Sequence, residues 1–194
     1  MSESIKLHLQ ESIEVLSAML SDQALQNTAL AVADLCVKAF NSGNKVLFMG
    51  NGGSAADSQH LAAELVSRFA FDRPGLPAFA LTVDTSVLTS IGNDYGFEKL
   101  FSRQIEAIAK PGDVLFGFST SGRSQNIIAA LDTARRMKVI TVGMAGNQKA
   151  CITELVDYCI EIPSSSTPKI QEGHIVIGHI ICGLIEEQLF SPKP

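Results

Sequence analysis

The sequence predicts an α/β fold: a three-layer α-β-α sandwich around a five-stranded parallel sheet, preceded by N-terminal helices. Three observations carry this expectation. Short apolar runs recur from residue 45 onward, separated by segments with helical spacing, and such alternation implies parallel strands covered on both faces. The runs are apolar throughout, as strands buried on both faces are. Two of them, 45–50 and 113–119, end in a Gly/Ser turn that opens a helix.

Each element follows in order. Residues 3–41 place Ile5, Leu7, Ile13, Leu16 and Leu20, then Leu30, Val32, Leu35, Val37 and Phe40, at helical spacing. "SDQALQ" supplies a stop and a fresh N-cap, so two helices are expected before the first strand. Neither is suited to bury its apolar face alone, which predicts a packing partner such as another subunit. Strands are expected at 45–50, 77–81, 113–119, 138–145 and 158–163. Between them lie a helix over 54–69, a short helix in "TSVLTSIGND", a helix over "GFEKLFSRQIEAIA" and a helix in "QNIIAALDTARRM". "SSSTPK" then leads to a long final helix over 170–189. No internal linker or low-complexity tract interrupts residues 1–194, so one domain is expected, with 1–42 used in packing.

The totals exclude several classes of function. The chain has 194 residues, 46% hydrophobic, and only 18% charged, which suggests that some surface is buried against another subunit. A net charge of -5 without basic runs argues against nucleic acid or an anionic membrane as partner. "MSESIKLHLQES" is no secretory signal, and "IVIGHIICGLI" is too short to span a bilayer, so a cytoplasmic location is expected. Cys36, Cys151, Cys159 and Cys182 form no CxxC pair and read as reduced, buried, small hydrophobes.

"GNGGSAAD" and "STSGRSQN" both lie beyond strand carboxyl ends, where helix N-termini present unpaired N–H groups and partial positive charge. Small residues let backbone approach an anion, and Ser119, Thr120, Ser121 and Ser124 add four hydroxyls within six residues. Two such turns on one sheet favour a site for an anion or a sugar over ordinary capping. Neither is a Walker A loop, and "GNGGSA" fails GxGxxG, which disfavours a dinucleotide.

The helix after the first turn carries His60 and Glu64 four residues apart, on one face, where imidazole and carboxylate can share a divalent metal. The final helix adds Gln171, His174 and His179. Gln171 and His179 are separated by a rise of roughly 12 Å on a straight helix, too far for one metal to join easily. Either Gln171 lies at or before the helix start and bends inward, or the ligands come from more than one subunit.

Together these residues resemble the phosphoheptose isomerase branch of the sugar-isomerase (SIS) domain family. The similarity covers essentially the whole chain and is carried by "GNGGSAADSQHLAAEL", "RFAFDRPGLPA", "IGNDYGFEKLFSRQ", "PGDVLFGFSTSGRS" and "IQEGHIVIGHI". It implies a flavodoxin-like fold, assembled as a homotetramer with sites at subunit interfaces, and one zinc ion per subunit at His60, Glu64, Gln171 and His179. It also implies substrate contacts from Asn51, Gly52, Gly53, Ser54, Glu64, Asn93, Asp94, Ser119, Thr120, Ser121, Ser124 and Gln171. Glu64 and His179 would be base and acid in converting sedoheptulose 7-phosphate to D-glycero-D-manno-heptose 7-phosphate through an enediol, the first step toward ADP-heptose for the lipopolysaccharide core.

Three positions depart from the family's usual residues: Arg123 for Asn, Lys169 for Arg, and Pro168 where some members carry Asp. The main rival is the SIS paralogue that associates with the bacterial replication initiator without catalysis. That branch lacks the glutamate and the second histidine, so Glu64 and His179 favour the enzyme. A sugar-phosphate sensor would be expected to carry a basic DNA-binding segment, which the N-terminal forty residues do not resemble.

Overall fold

The computed structural model describes residues 2–147 and 151–191, Cys151 by its backbone alone. Helices α1 (Ser2–Ser21) and α2 (Gln23–Asn41) precede the sheet. There follow β1 (Val46–Gly50), α3 (Gly53–Val66), β2 (Ala78–Ala80), α4 (Thr85–Asp94), α5 (Ser102–Ile108) and β3 (Val114–Phe118). The chain closes with α6 (Gln125–Arg136), β4 (Ile140–Gly146), β5 (Tyr158–Ile162) and α7 (Thr167–Phe190).

The five strands are all parallel, in the order β2-β1-β3-β4-β5. The chain moves outward from β1 to β2, then returns to place β3 on the other side of β1. That reversal makes the carboxyl ends of β1 and β3 the crevice where an open parallel sheet binds ligands. Side chains alternate across the sheet and build two cores. Val46, Phe48, Phe116 and Met144 join α2, α3 and α7 on one face, while Leu47, Met49, Leu115 and Ala145 join α4, α5 and α6 on the other. Phe48 stacks on Phe116 with ring centroids 5.0 Å apart. The expected three-layer sandwich is thus present.

Four details differ from the sequence expectation. Helix α2 is no orphan: Leu25, Ala29, Val32, Ala33 and Cys36 are buried against the sheet and α7 within the same chain. Only α1 leaves its apolar side open, with Ile5, Leu7, Leu9, Ile13 and Leu20 all more than half exposed. The helix expected over residues 96–109 divides into a 3-10 turn (Phe97–Lys99) and α5, and the break lets Leu100 and Phe101 turn into the core. The third helix stops at Val66, earlier than expected, because the following loop is drawn onto α7 by Glu186.

The last difference bears on the site. Helix α7 begins at Thr167, with Pro168 in its first turn, where a missing N–H costs nothing. Gln171 is therefore a helical residue, and the idea that it precedes the helix is set aside.

Cys36 and Cys182 are buried free thiols, as expected; burial raises both, Cys182 to about 12, and Cys159 is a half-buried thiol. The side chain of Cys151 lies outside the described residues. Among the described residues no helix is long and apolar enough to cross a membrane.

Candidate active site

Helices α3 and α7 lie side by side on one face of the sheet, and Gly178 of α7 packs tightly against α3. A Cβ there would stand 2.6 Å from Leu61 Cδ1, a side chain only 1% exposed and with little room to move. His60 precedes Leu61 and His179 follows Gly178, so the contact brings the two histidines together, ring centroids 4.9 Å apart and planes tilted by 54°. Their Nε2 atoms are 2.7 Å apart, and His60 Nε2 is 3.3 Å from Glu64 Oε1. One ligand-type atom from each of the three lies within 4.8 Å of the others.

This donor set suits a metal. Four tetrahedral donors at about 2.0–2.1 Å from an ion sit about 3.3 Å apart, close to the His60–Glu64 spacing. The histidine nitrogens, 2.7 Å apart, need to part by about 0.6 Å to match. His60 is about half exposed and Glu64 about one-fifth, so the cluster is open to solvent. The fourth expected ligand, Gln171, lies eight residues before His179 on the same helix, and its amide packs against the Gly53 turn: a Cβ on Gly53 would meet Gln171 Nε2 at 2.6 Å.

Behind the triad lies a buried ion pair. Arg73 Nε donates to Glu186 Oε1 at 3.0 Å, with both side chains 1% exposed. Glu186 also accepts the N–H groups of Phe69 and Ala70, and Arg73 donates to the carbonyls of Glu64 and Leu65. Burial alone would raise the Glu186 carboxyl, but the two backbone donors and the guanidinium hold it below its ordinary value. The loop is thereby fixed so that Phe69 packs against the His179 ring, centroids 5.7 Å apart and the planes tilted by 45°. One clamp thus touches both the Glu64 backbone and, through Phe69, His179.

The two Gly/Ser turns stand at the switch point. Aspartates cap α2 and α4 through side-chain hydrogen bonds, but the N-caps of α3 (Gly52, φ 58°) and α6 (Ser124) make none. Ser54, Ala55 and Ile127 N–H bond within their own turns, and with no side-chain cap over them the two helix starts keep their partial positive charge turned to the crevice. Ser124 Oγ lies instead 3.1 Å from Ser119 Oγ, and Ser121 Oγ accepts from Arg123 N.

Residues 8–146 match the family model described as SIS domain. A phosphoheptose isomerase from Burkholderia pseudomallei (strain 1710b) is 58% identical over 183 residues, 94% of this chain and 93% of that protein. One from Aneurinibacillus thermoaerophilus is 54% identical over 193 residues, covering 100% of this chain and 98% of its own. The solved structure of phosphoheptose isomerase GmhA from Neisseria gonorrhoeae superposes with a TM-score of 0.89 at 38% identity, over 96% of this chain and 98% of that one. The chain belongs to the phosphoheptose isomerase family of SIS-domain proteins.

For this member of the phosphoheptose isomerases, the structure brings together His60, Glu64 and His179, and it places the turns 51–54 and 119–124 on adjacent strands. Asn93 and Asp94 end α4, exposed and hydrogen-bonded to each other at 2.8 Å. His174 is a core residue instead: fully buried, it packs edge-on to Phe118 and lies 3.3 Å from the Ala145 carbonyl. Of the unusual residues, Arg123 is exposed, while Lys169 is buried and donates to His8 O, Ser12 Oγ and Glu172 Oε1, tying α1 to α7.

Sequence reasoning missed four residues here. Asn126 was read only as part of a helix, yet it bonds to Asn51. Asp57, one turn before His60, buries one carboxylate oxygen without a hydrogen bond; burial pushes its carboxyl up, against the opposing charge of His60. Arg73 and Glu186 are 113 residues apart, and nothing local links them.

Proposed function

We propose that the protein isomerises sedoheptulose 7-phosphate to D-glycero-D-manno-heptose 7-phosphate in the cytoplasm, at the start of ADP-heptose synthesis. The observation that carries this is the placement of His60, Glu64 and His179 on helices beside two uncapped helix N-termini at the switch point of the sheet. Membership of the phosphoheptose isomerases supports the substrate. Free, partly or fully buried thiols suit a reducing compartment.

In this reading Ser119, Thr120, Ser121 and Ser124, with the first N–H groups of α6, hold the phosphate. Asn51, Gly52, Gly53 and Ser54, with Asn93, Asp94 and Gln171, hold and orient the sugar chain. Glu64 takes a proton from C1 as the C2 carbonyl becomes the enediol. His179 then delivers a proton to C2 while the C1 hydroxyl proton passes to the C2 oxygen, leaving an aldehyde at C1 and a hydroxyl at C2. A zinc ion at His60, Glu64, Gln171 and His179, one per subunit, with Gln171 and His179 of one site coming from different subunits because of their separation along α7, would supply positive charge for the enediol oxygens.

The site is completed by a second copy in a homotetramer. Support comes from the open apolar side of α1 and from the exposure of His60, Asn93 and Asp94 in the single chain. The large grooves of about 550 Å³ by Arg135 and Tyr158, and about 600 Å³ by Phe71 and Phe190, contain no triad residue. The replication-initiator paralogue is not favoured, because Glu64 and His179 are both in place.

The test is turnover of sedoheptulose 7-phosphate by the zinc-loaded protein, followed by NMR. Aldose should form with the wild type and not with Glu64→Gln. No turnover by the wild type would return the chain to the binding-protein reading.

A further inference from the structure

We infer that Asn126 is a positioning residue that clasps the two substrate turns together through Asn51. The inference rests on the assignment of those turns under the proposed function. Asn51 follows β1 directly, and Asn126 lies in the first turn of α6, 75 residues later. Asn51 Nδ2 donates to Asn126 Oδ1 at 2.9 Å, and Asn126 Nδ2 donates to Asn51 Oδ1 at 2.8 Å. The reciprocal pair fixes both amides at once, since turning either one over would set like groups against each other at both contacts.

Asn126 is 2% exposed, and its Oδ1 also accepts the Ile127 N–H at 3.0 Å, so its amide is anchored to the helix start. Asn51 is thereby held by an immobile partner. Its Oδ1 and one N–H are occupied, which leaves the second N–H as the donor for a sugar hydroxyl. The clasp bridges β1 and β3, adjacent strands whose ends carry the sugar turn and the phosphate turn. It therefore sets the span between the phosphate and the reacting end of the chain. A misplacement of about 1 Å at a reacting centre can cost on the order of a hundredfold in rate.

A double-variant cycle tests this with sedoheptulose 7-phosphate. Asn126→Ala should lower kcat/KM about ten- to a hundredfold, with the Asn51→Ala, Asn126→Ala double variant within about threefold of the worse single one, because both remove one clasp. Asn126→Asp keeps the acceptor and loses the donor, and should fall between wild type and Asn126→Ala. Wild-type kinetics for Asn126→Ala, or losses that multiply in the double variant, would overturn the inference.

Hydrogen exchange of the ligand-free protein reads the clasp without catalysis. Exchange at the amides of Ser54, Ala55 and Ala56, hydrogen-bonded within the first turn, should rise at least about tenfold in either single variant and no further in the double. Exchange in β4 should stay unchanged. Acceleration everywhere would show a merely structural residue, and acceleration nowhere would overturn the clasp. If the wild type fails to turn over the sugar, the functional reading falls while the exchange data still decide the clasp.

Discussion

His60 and His179 are separated by 119 residues, yet their Nε2 atoms face each other at 2.7 Å. The contact follows from the absence of a side chain at Gly178, which lets α7 close on Leu61 of α3.

Gly178→Ala should therefore act on the site through packing. Overfilling a close contact of this kind costs about 1–3 kcal/mol, and the two helices relieve it by separating at His60 and His179. Thermal unfolding should show that loss, and zinc affinity measured by competition with a chelating dye should fall about tenfold or more. Unchanged zinc affinity would show that the helix spacing does not set the site.

Glu186→Ala leaves Arg73 buried without its carboxylate, a change that costs about 3–5 kcal/mol. Denaturant unfolding should register it, whereas Glu186→Gln, which keeps one oxygen to accept from Arg73 and Phe69 and fills the same space, should lose less. Equal losses would mean that the charge pair carries the whole effect.

His174 gives a pH dependence with a defined sign. Burial holds its imidazole down at about 4, against an ordinary value of 6.5, and the Ala145 contact only partly offsets this. Between those values the unfolded chain takes up a proton that the folded one refuses. Stability from this residue is complete above pH 6.5 and declines as pH falls toward 4, by up to about 3 kcal/mol. His174→Gln should flatten the slope of unfolding free energy over that window. Asp113 and Glu186, both lowered, add to acid sensitivity at lower pH.

Much of this was legible in the sequence because it is local. Apolar runs broken by Gly/Ser turns show five parallel strands, and the i, i+4 spacing of His60 and Glu64 shows a shared face. The rest depends on partners distant along the chain. Nothing near Asn126 indicates Asn51, and nothing near Arg73 indicates Glu186. α2 was read as lacking a partner because its neighbour α7 lies more than a hundred residues away. The start of α7 was misplaced because Pro168 resembles a loop residue, although proline is favoured in a helix's first turn.

Metal removal separates structure from chemistry. Chelation should abolish turnover while leaving far-UV circular dichroism unchanged, since the histidines and Glu64 are set by the α3–α7 contact rather than by the ion. Restoration by zinc but not by magnesium would match a site of two imidazoles and one carboxylate. Loss of helix signal on chelation would contradict that independence.

The most direct measurement is isomerisation of sedoheptulose 7-phosphate in D2O by the zinc-loaded protein, with the aldose examined by NMR. A proton taken by Glu64 and a different one delivered by His179 predict one solvent deuterium at C2 of the product, and no product from Glu64→Gln. Aldose formed without deuterium at C2, or with undiminished rate by Glu64→Gln, would contradict the account.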